Sequence, residues 1–66
     1  MNILVNDETL TLESPLTLEQ LLDKLACQPA GTALAVNQQI VPRGSWAQHR
    51  LHEGDVVVIF QAIAGG

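Results

Sequence analysis

Thr17-Leu18-Glu19-Gln20-Leu21-Leu22-Asp23-Lys24-Leu25-Ala26 is the stretch on which the fold turns, the one clear helical period among segments that otherwise read as strands. Leu18, Leu21, Leu22 and Leu25 recur at i, i+3, i+4 and i+7, so they share one face of a helix. Glu19, Asp23 and Lys24 fall on the other side. Thr17 and Gln20 make a capping-box pattern, which satisfies two otherwise orphaned donors at a helix start. Leu16 ahead of the cap and Leu21 inside it suit a hydrophobic staple. The pattern predicts a helix over residues 18–26, with Pro29 and Gly31 beyond it to prevent continuation. Its leucine stripe is core.

Strands flank this helix on both sides. Ile3-Leu4-Val5 is a compact apolar run, and Asn6-Asp7-Glu8 after it is turn-prone. Thr9-Leu10-Thr11-Leu12-Glu13 alternates polar and apolar residues with period two, as a half-buried strand does. The two runs predict a hairpin, which Ser14-Pro15 ends because proline cannot donate to a ladder. Beyond the helix, Ala33-Leu34-Ala35-Val36 reads as a third strand and Asn37-Gln38-Gln39 as a tight connection. Ile40-Val41 is a short fourth strand, closed by Pro42. Residues 43–49 show no period and read as a segment crossing the surface. Trp46 packs it onto the core, and its indole N–H needs a partner or water. Glu53-Gly54-Asp55 then turns into Val56-Val57-Val58-Ile59-Phe60, the strongest strand in the chain.

Roughly five short strands and one helix make an α+β domain. A single amphipathic helix covers only one face of a sheet. First and last strands lying side by side at the sheet's centre must run parallel, since the intervening helix supplies the crossover. The expected architecture is therefore a β-grasp, a mixed sheet packed on one main helix. It spans residues 1–60, with residues 61–66 as a flexible tail. The last strand is apolar on both faces although only one can be covered. Either Val56, Val58 and Phe60 or Val57 and Ile59 should then be partly exposed. Such a patch marks a partner surface or lies beneath flanking loops.

With 66 residues the chain is one domain, and a domain of this size buries only about 60% of its unfolded surface. A hydrophobic fraction of 47% is ample for a folded core. Seven acidic residues against three basic ones give a net charge of −4. That balance argues against nucleic acid, because phosphate backbones are bound by Lys and Arg clusters, and Lys24, Arg43 and Arg50 are scattered. It suits a basic docking surface on another protein. One cysteine, Cys27, cannot staple the fold internally, which fits a cytosolic protein without disulfides. Residues 1–8 lack the basic region and long apolar run of a signal peptide. No apolar run approaches the roughly 18 residues that span a membrane. The expectation is a cytoplasmic protein with no membrane partner.

No catalytic constellation is legible. His49, His52 and Glu53 could be imagined as metal ligands, but they stand in a loop and turn without a supporting set of Cys or His. Cys27 has no helix N-terminus or basic cluster near it in sequence to favour a thiolate, and it reads as a small apolar residue. Gly31, Gly44 and Gly54 are isolated, so there is no phosphate-cradling loop. The unusual feature is the end, Gln61-Ala62-Ile63-Ala64-Gly65-Gly66, an uncharged tail closing on two glycines. Glycines there let a backbone lie close to the walls of another protein's narrow site, where the Gly66 carboxylate could reach an active centre. A frayed terminus is the plainer reading of the same residues.

The chain as a whole resembles the bacterial sulfur carriers of the ThiS family, within the ubiquitin-like ThiS/MoaD group. The resemblance covers the full length. Its most specific parts are Val36-Asn37-Gln38-Gln39-Ile40-Val41-Pro42-Arg43 with Trp46, and the end from Phe60 to Gly66. It implies a ubiquitin-like β-grasp protein of thiamine biosynthesis, a co-substrate and not an enzyme, with no catalytic residue, no metal and no cofactor bound by this chain. A ThiF-like adenylating enzyme would use ATP and magnesium to activate the Gly66 carboxylate. Sulfur from a cysteine desulfurase would displace AMP and leave a thiocarboxylate, from which a ThiG-like thiazole synthase takes the sulfur. By the same resemblance Ile63, Ala64 and Gly65 enter partner active sites, and Phe60, Val58 and Val56 meet partner surfaces. The two enzymes need the same tail and would bind in alternation, and the chain alone would be a monomer. Three other readings stay open: a small subunit of molybdopterin synthase, a ubiquitin-like modifier joined to lysines through Gly66, and a β-grasp binding module whose tail is inert.

Overall fold

The computed structural model describes residues 1–27 and 31–61. β1 (Asn2–Val5) and β2 (Glu8–Thr11) form an antiparallel hairpin, α1 (Leu18–Lys24) follows, and β3 (Thr32–Val36) pairs antiparallel with β4 (Gln39–Val41). β5 (Val56–Gln61) lies between the two halves, parallel to β1 and antiparallel to β3. The sheet therefore runs β2-β1-β5-β3-β4. First and last strands are parallel neighbours at the centre, the α+β, ubiquitin-like β-grasp arrangement expected from a single crossover helix.

Both hairpins turn through two residues at positive φ. Asn6 and Asp7 sit at 50° and 68°, and Asn37 and Gln38 at 51° and 72°. This pair of left-handed conformations matches the twist of the flanking strands, and asparagine tolerates it better than most residues. Val5 then faces Glu8, and Val36 faces Gln39. Glu8 and Gln39 are therefore the first residues of β2 and β4, where the sequence reading assigns them to the turns. β5 likewise runs one residue past Phe60, with Gln61 in register with Thr32.

The start of α1 is fully accounted for. Gln20 N–H donates to Thr17 Oγ1 at 3.2 Å and Thr17 N–H to Gln20 Oε1 at 3.0 Å, completing the capping box. The other first-turn donors reach backbone carbonyls: Leu18 N–H to His49 at 3.0 Å, Glu19 N–H to Trp46 at 3.2 Å and Leu21 N–H to Thr17 at 2.9 Å. Groups that a helix start leaves orphaned are thus partly satisfied by the segment after β4, which ties that segment to the helix.

The helix ends at Lys24, short of the Ala26 that the leucine period predicts. Leu25 is the C-cap and Ala26 takes φ 58°. The N–H groups of Ala26 and Cys27 return to the carbonyls of Asp23 and Leu22 at 3.1 and 2.9 Å. This is the Schellman arrangement, with alanine where glycine is usual. The stop is local, and it precedes Pro29, which lies outside the described residues.

Leu18, Leu21 and Leu22 pack with Ile3, Leu34, Val36, Val41 and Val57 from the inner face of the sheet, with Leu16 and Leu25 partly buried against them. Leu12, Trp46 and Leu51 complete the core. Trp46 donates its indole N–H to the Val41 carbonyl at 2.9 Å, pinning the residues after a 3-10 turn (Arg43–Ser45) to β4. Leu51 belongs to no periodic segment, yet it is fully buried and its N–H donates to the Leu16 carbonyl at 2.8 Å. No helix among the described residues is long and apolar enough to cross a membrane.

Leu21 is fully enclosed, so Leu21→Ala should cost about 2–5 kcal/mol, the range for truncating a buried leucine. The measure is the midpoint of chemical denaturation, and an unchanged midpoint would contradict this packing. Ala26→Gly should act in the opposite direction, adding about 1 kcal/mol because an exposed Cβ no longer resists a left-handed backbone. A midpoint that falls would show that the helix end is not held by this geometry.

Candidate functional site

α1 covers one face of the sheet and leaves the other open. Register decides which residues look outward. Leu4 pairs with Val56, Ala35 with both Val58 and Ile40, and Phe60 with Ala33, so these side chains share the uncovered face. Ile40 is 65% exposed, Phe60 50%, Leu4 37% and Val56 36%. Val58 is half-buried, and Ala35 between Val58 and Ile40 is buried. The alternate residues of β5 face the helix: Val57 is fully buried and Ile59 packs against the core. Val56, Val58 and Phe60 are thus the outward set of the two that the sequence allowed.

The apolar band is broader than β5 alone, because Leu4 and Ile40 join it from β1 and β4. A signal for Leu4 exists in the sequence. Ile3-Leu4-Val5 is apolar throughout, and when its outer residues face the core its middle residue must face away. None of the residues paired across this band carries a charge. Its β2 end is polar, where Thr11 Oγ1 donates to Asn2 Oδ1 at 2.9 Å.

β5 runs along the band and ends at Gln61, directly before the tail. Side chains fix both of its ends. At the start, Asn37 Oδ1 accepts from Val56 N–H at 3.0 Å and Asn37 N–H donates to the Val56 carbonyl at 2.8 Å. Asp55 joins this corner, its Oδ1 accepting from Asn37 Nδ2 at 3.1 Å and its Oδ2 from His52 N–H at 2.8 Å. At the far end β1 is too short to accompany β5, and Asn6 takes its place. Asn6 N–H donates to the Val57 carbonyl at 3.0 Å. Its Oδ1 accepts from Ile59 N–H at 2.8 Å and its Nδ2 donates to the Ile59 carbonyl at 3.4 Å. Both asparagines read as plain turn residues in sequence, since bonds this distant leave no local signal.

Ile63, Ala64, Gly65 and Gly66 lie outside the described residues. Among the described residues, no group of three or more His, Cys, Asp and Glu is placed to hold a metal ion. His52 Nδ1 stands 3.9 Å from Asp55 Oδ2 with its ring exposed, and belongs to the turn that starts β5. Cys27 is partly buried, its thiol 3.9 Å from the Leu25 carbonyl. What the described residues offer is an exposed apolar face on a strand that ends at Gln61.

Comparison with known proteins adds to this geometry. The chain is 50% identical over 66 residues to the sulfur carrier protein ThiS of Escherichia coli, covering 100% of both chains. It is 33% identical over 66 residues to the thiazole synthase of Paramagnetospirillum magneticum, covering 100% of this chain and 20% of that protein. The crystal structure of the thiamine biosynthesis protein ThiS from Geobacter metallireducens superimposes with a TM-score of 0.85 at 25% identity, covering 100% of each chain. A solution structure of a thiamine biosynthesis protein from the same organism gives 0.82 at 25% identity, covering 100% of this chain and 88% of that one. The model of the ThiS family matches residues 1–66, the whole chain. With its sheet order, its single capped helix and this full-length match, the chain belongs to the ThiS family.

Proposed function

We propose that this chain is a cytoplasmic sulfur carrier in thiamine biosynthesis, with Gly66 as the carrying residue. The observation that carries the proposal is the similarity over the full length of both chains to the Escherichia coli sulfur carrier. The thiazole synthase relative supports the choice of acceptor, because a stretch like this whole chain is built into one fifth of a protein of that name.

The chemistry needs little from the carrier. A carboxylate is a poor electrophile, and converting it to an acyl-adenylate supplies a good leaving group. The Gly66 carboxylate oxygen attacks the α-phosphorus of ATP and pyrophosphate departs. The terminal sulfur of a persulfide, supplied from a cysteine desulfurase, then attacks the acyl carbon and AMP departs, leaving an acyl disulfide. A thiol reductant attacks the donor's sulfur, forms a disulfide with it and releases the thiocarboxylate for a thiazole synthase. ATP and magnesium belong to the adenylating enzyme. The chain itself contributes a carried group, a narrow reach and a docking face, and acts as a co-substrate.

The open face suits the docking role. Val56, Val58 and Phe60 line β5 immediately ahead of the tail, so an enzyme that covers them holds the tail's base. From Gln61 the remaining residues span at most about 18 Å when fully extended, so the reacting centre would lie close to the docked sheet. Ala64 and Ile63 would lie in the entry channel, and Gly65 would pass its narrowest point.

Two experiments test this reading. Chain purified from cells making thiamine should contain a fraction heavier by the exchange of one oxygen for sulfur, located on the C-terminal peptide by intact and fragment mass. Deleting Gly66 should abolish that fraction and sulfur transfer while leaving the denaturation midpoint unchanged; transfer that survives the deletion would leave a binding module with an inert tail. Phe60→Ala should raise KM for adenylation about tenfold, the loss typical of an aromatic interface anchor, with little change in kcat. An unaltered KM would move the docking surface elsewhere.

A further inference from the structure

We infer that Asn6 is a positioning residue for the tail: its side chain holds the last rungs of β5, so that Gln61 gives the tail a fixed base. The inference rests on the proposal that the tail carries the reacting group. β1 pairs with β5 only through Leu4 with Val56 and Val5 with Val57. Beyond Val57, β5 keeps a strand neighbour on one side alone, β3, as far as Gln61 opposite Thr32. On the other side the Ile59 N–H and carbonyl face a lane that β1 has left. Asn6 fills that lane with its side-chain amide, at 2.8 and 3.4 Å, while its own N–H makes the preceding rung to the Val57 carbonyl at 3.0 Å.

The identity of the residue follows from holding two tasks at once. Position 6 has φ 50° at the first place of a tight hairpin turn, which glycine, aspartate or asparagine can satisfy. Only asparagine also offers both an acceptor and a donor to the paired groups of Ile59. Glycine would keep the turn and lose both bonds. Aspartate would keep the turn and the 2.8 Å acceptor bond. Val56 stays paired with Leu4 and Phe60 with Ala33, so docking through them does not rest on the Asn6 amide, whereas the end of β5 at Gln61 loses its restraint on the side that β1 has left. A swinging base lowers the fraction of docked complexes in which the carboxylate is correctly placed, a loss of positioning and not of binding.

Asn37 supplies the control. It also turns a hairpin at φ 51° and also holds β5 through its side chain, but at Val56, the end remote from the tail. The test measures adenylation of the full chain by its adenylating enzyme, as ATP-dependent pyrophosphate release, for wild type, Asn6→Gly, Asn6→Asp and Asn37→Gly. Asn6→Gly should lower kcat about threefold to tenfold, the worth of one net hydrogen bond, because of the two bonds lost the one at 3.4 Å is long and adds little. Its KM should stay within about twofold of wild type, as expected when docking is intact. Asn6→Asp should restore much of kcat, Asn37→Gly should keep it, and the Ile59 amide should exchange faster only in Asn6→Gly. If wild type itself is not adenylated, the carrier reading fails and this inference with it. If wild type is adenylated and Asn6→Gly matches its kcat although Ile59 exchanges faster, only the inference fails. An Asn6→Gly chain that does not fold, or an equal fall in Asn37→Gly, would give Asn6 a merely structural role and also overturn it.

Discussion

The parallel contact of β1 with β5 constrains everything else in this domain, because two parallel strands cannot be joined by a tight turn and need a long crossover between them. That crossover contains α1 and the whole β3–β4 hairpin. Only two residue pairs register along the parallel seam, so loops and side chains complete it. Leu4 N–H reaches the Asp55 carbonyl at 2.9 Å, and Gly54 N–H reaches the Asn2 carbonyl at 2.8 Å. The Glu53 carboxylate accepts from Asn2 N–H at 3.1 and 3.2 Å. Gly54 makes this possible at φ 83°, a conformation that resists a Cβ. The last strand is thereby held in the middle of the sheet, away from the edges where unpaired groups invite other strands.

A central strand is flanked on both sides, yet one helix can cover only one of its faces. The same β5 therefore supplies the core, through Val57 and Ile59, and the surface, through Val56, Val58 and Phe60. In most small domains the outer face of a strand is polar. Here it is apolar across four strands, with Phe60 and Ile40 at least half exposed. Exposed apolar area on this scale is what a partner surface requires, and the strand that carries it ends at Gln61, so under the proposed function one element would serve both recognition and delivery.

Much of this was legible because it is local. The Thr17–Gln20 capping box, the leucine face and the two asparagine turns each follow from neighbours in sequence, and the structure shows them. The helix end departs from the local signal, since Ala26 adopts φ 58° without the glycine that normally announces such a stop. Contacts between distant segments had no such signal. Leu51 is buried through a bond to Leu16, and Asn6 holds Ile59 far along the chain. Which face of β5 points outward was also a question of register: the alternation defines two sets, and only the pairing of Leu4 with Val56 against a core-facing Ile3 chooses between them.

A carrier that serves an activating enzyme and an acceptor in turn must be released between them, and this limits how strong its docking face can be. Four large apolar side chains offer grip without a buried charge to satisfy, so no partner needs a matched ion pair deep in the interface, where desolvation offsets much of the attraction. Interfaces on the small side of the usual range belong to transient encounters. Against a basic partner surface, the net charge of −4 would act at longer range and speed arrival more than it slows departure. Fast arrival with ready release suits a chain that delivers its group and moves on. Fixing the base of the tail then matters more, because a short-lived complex leaves little time for the tail to find the active centre.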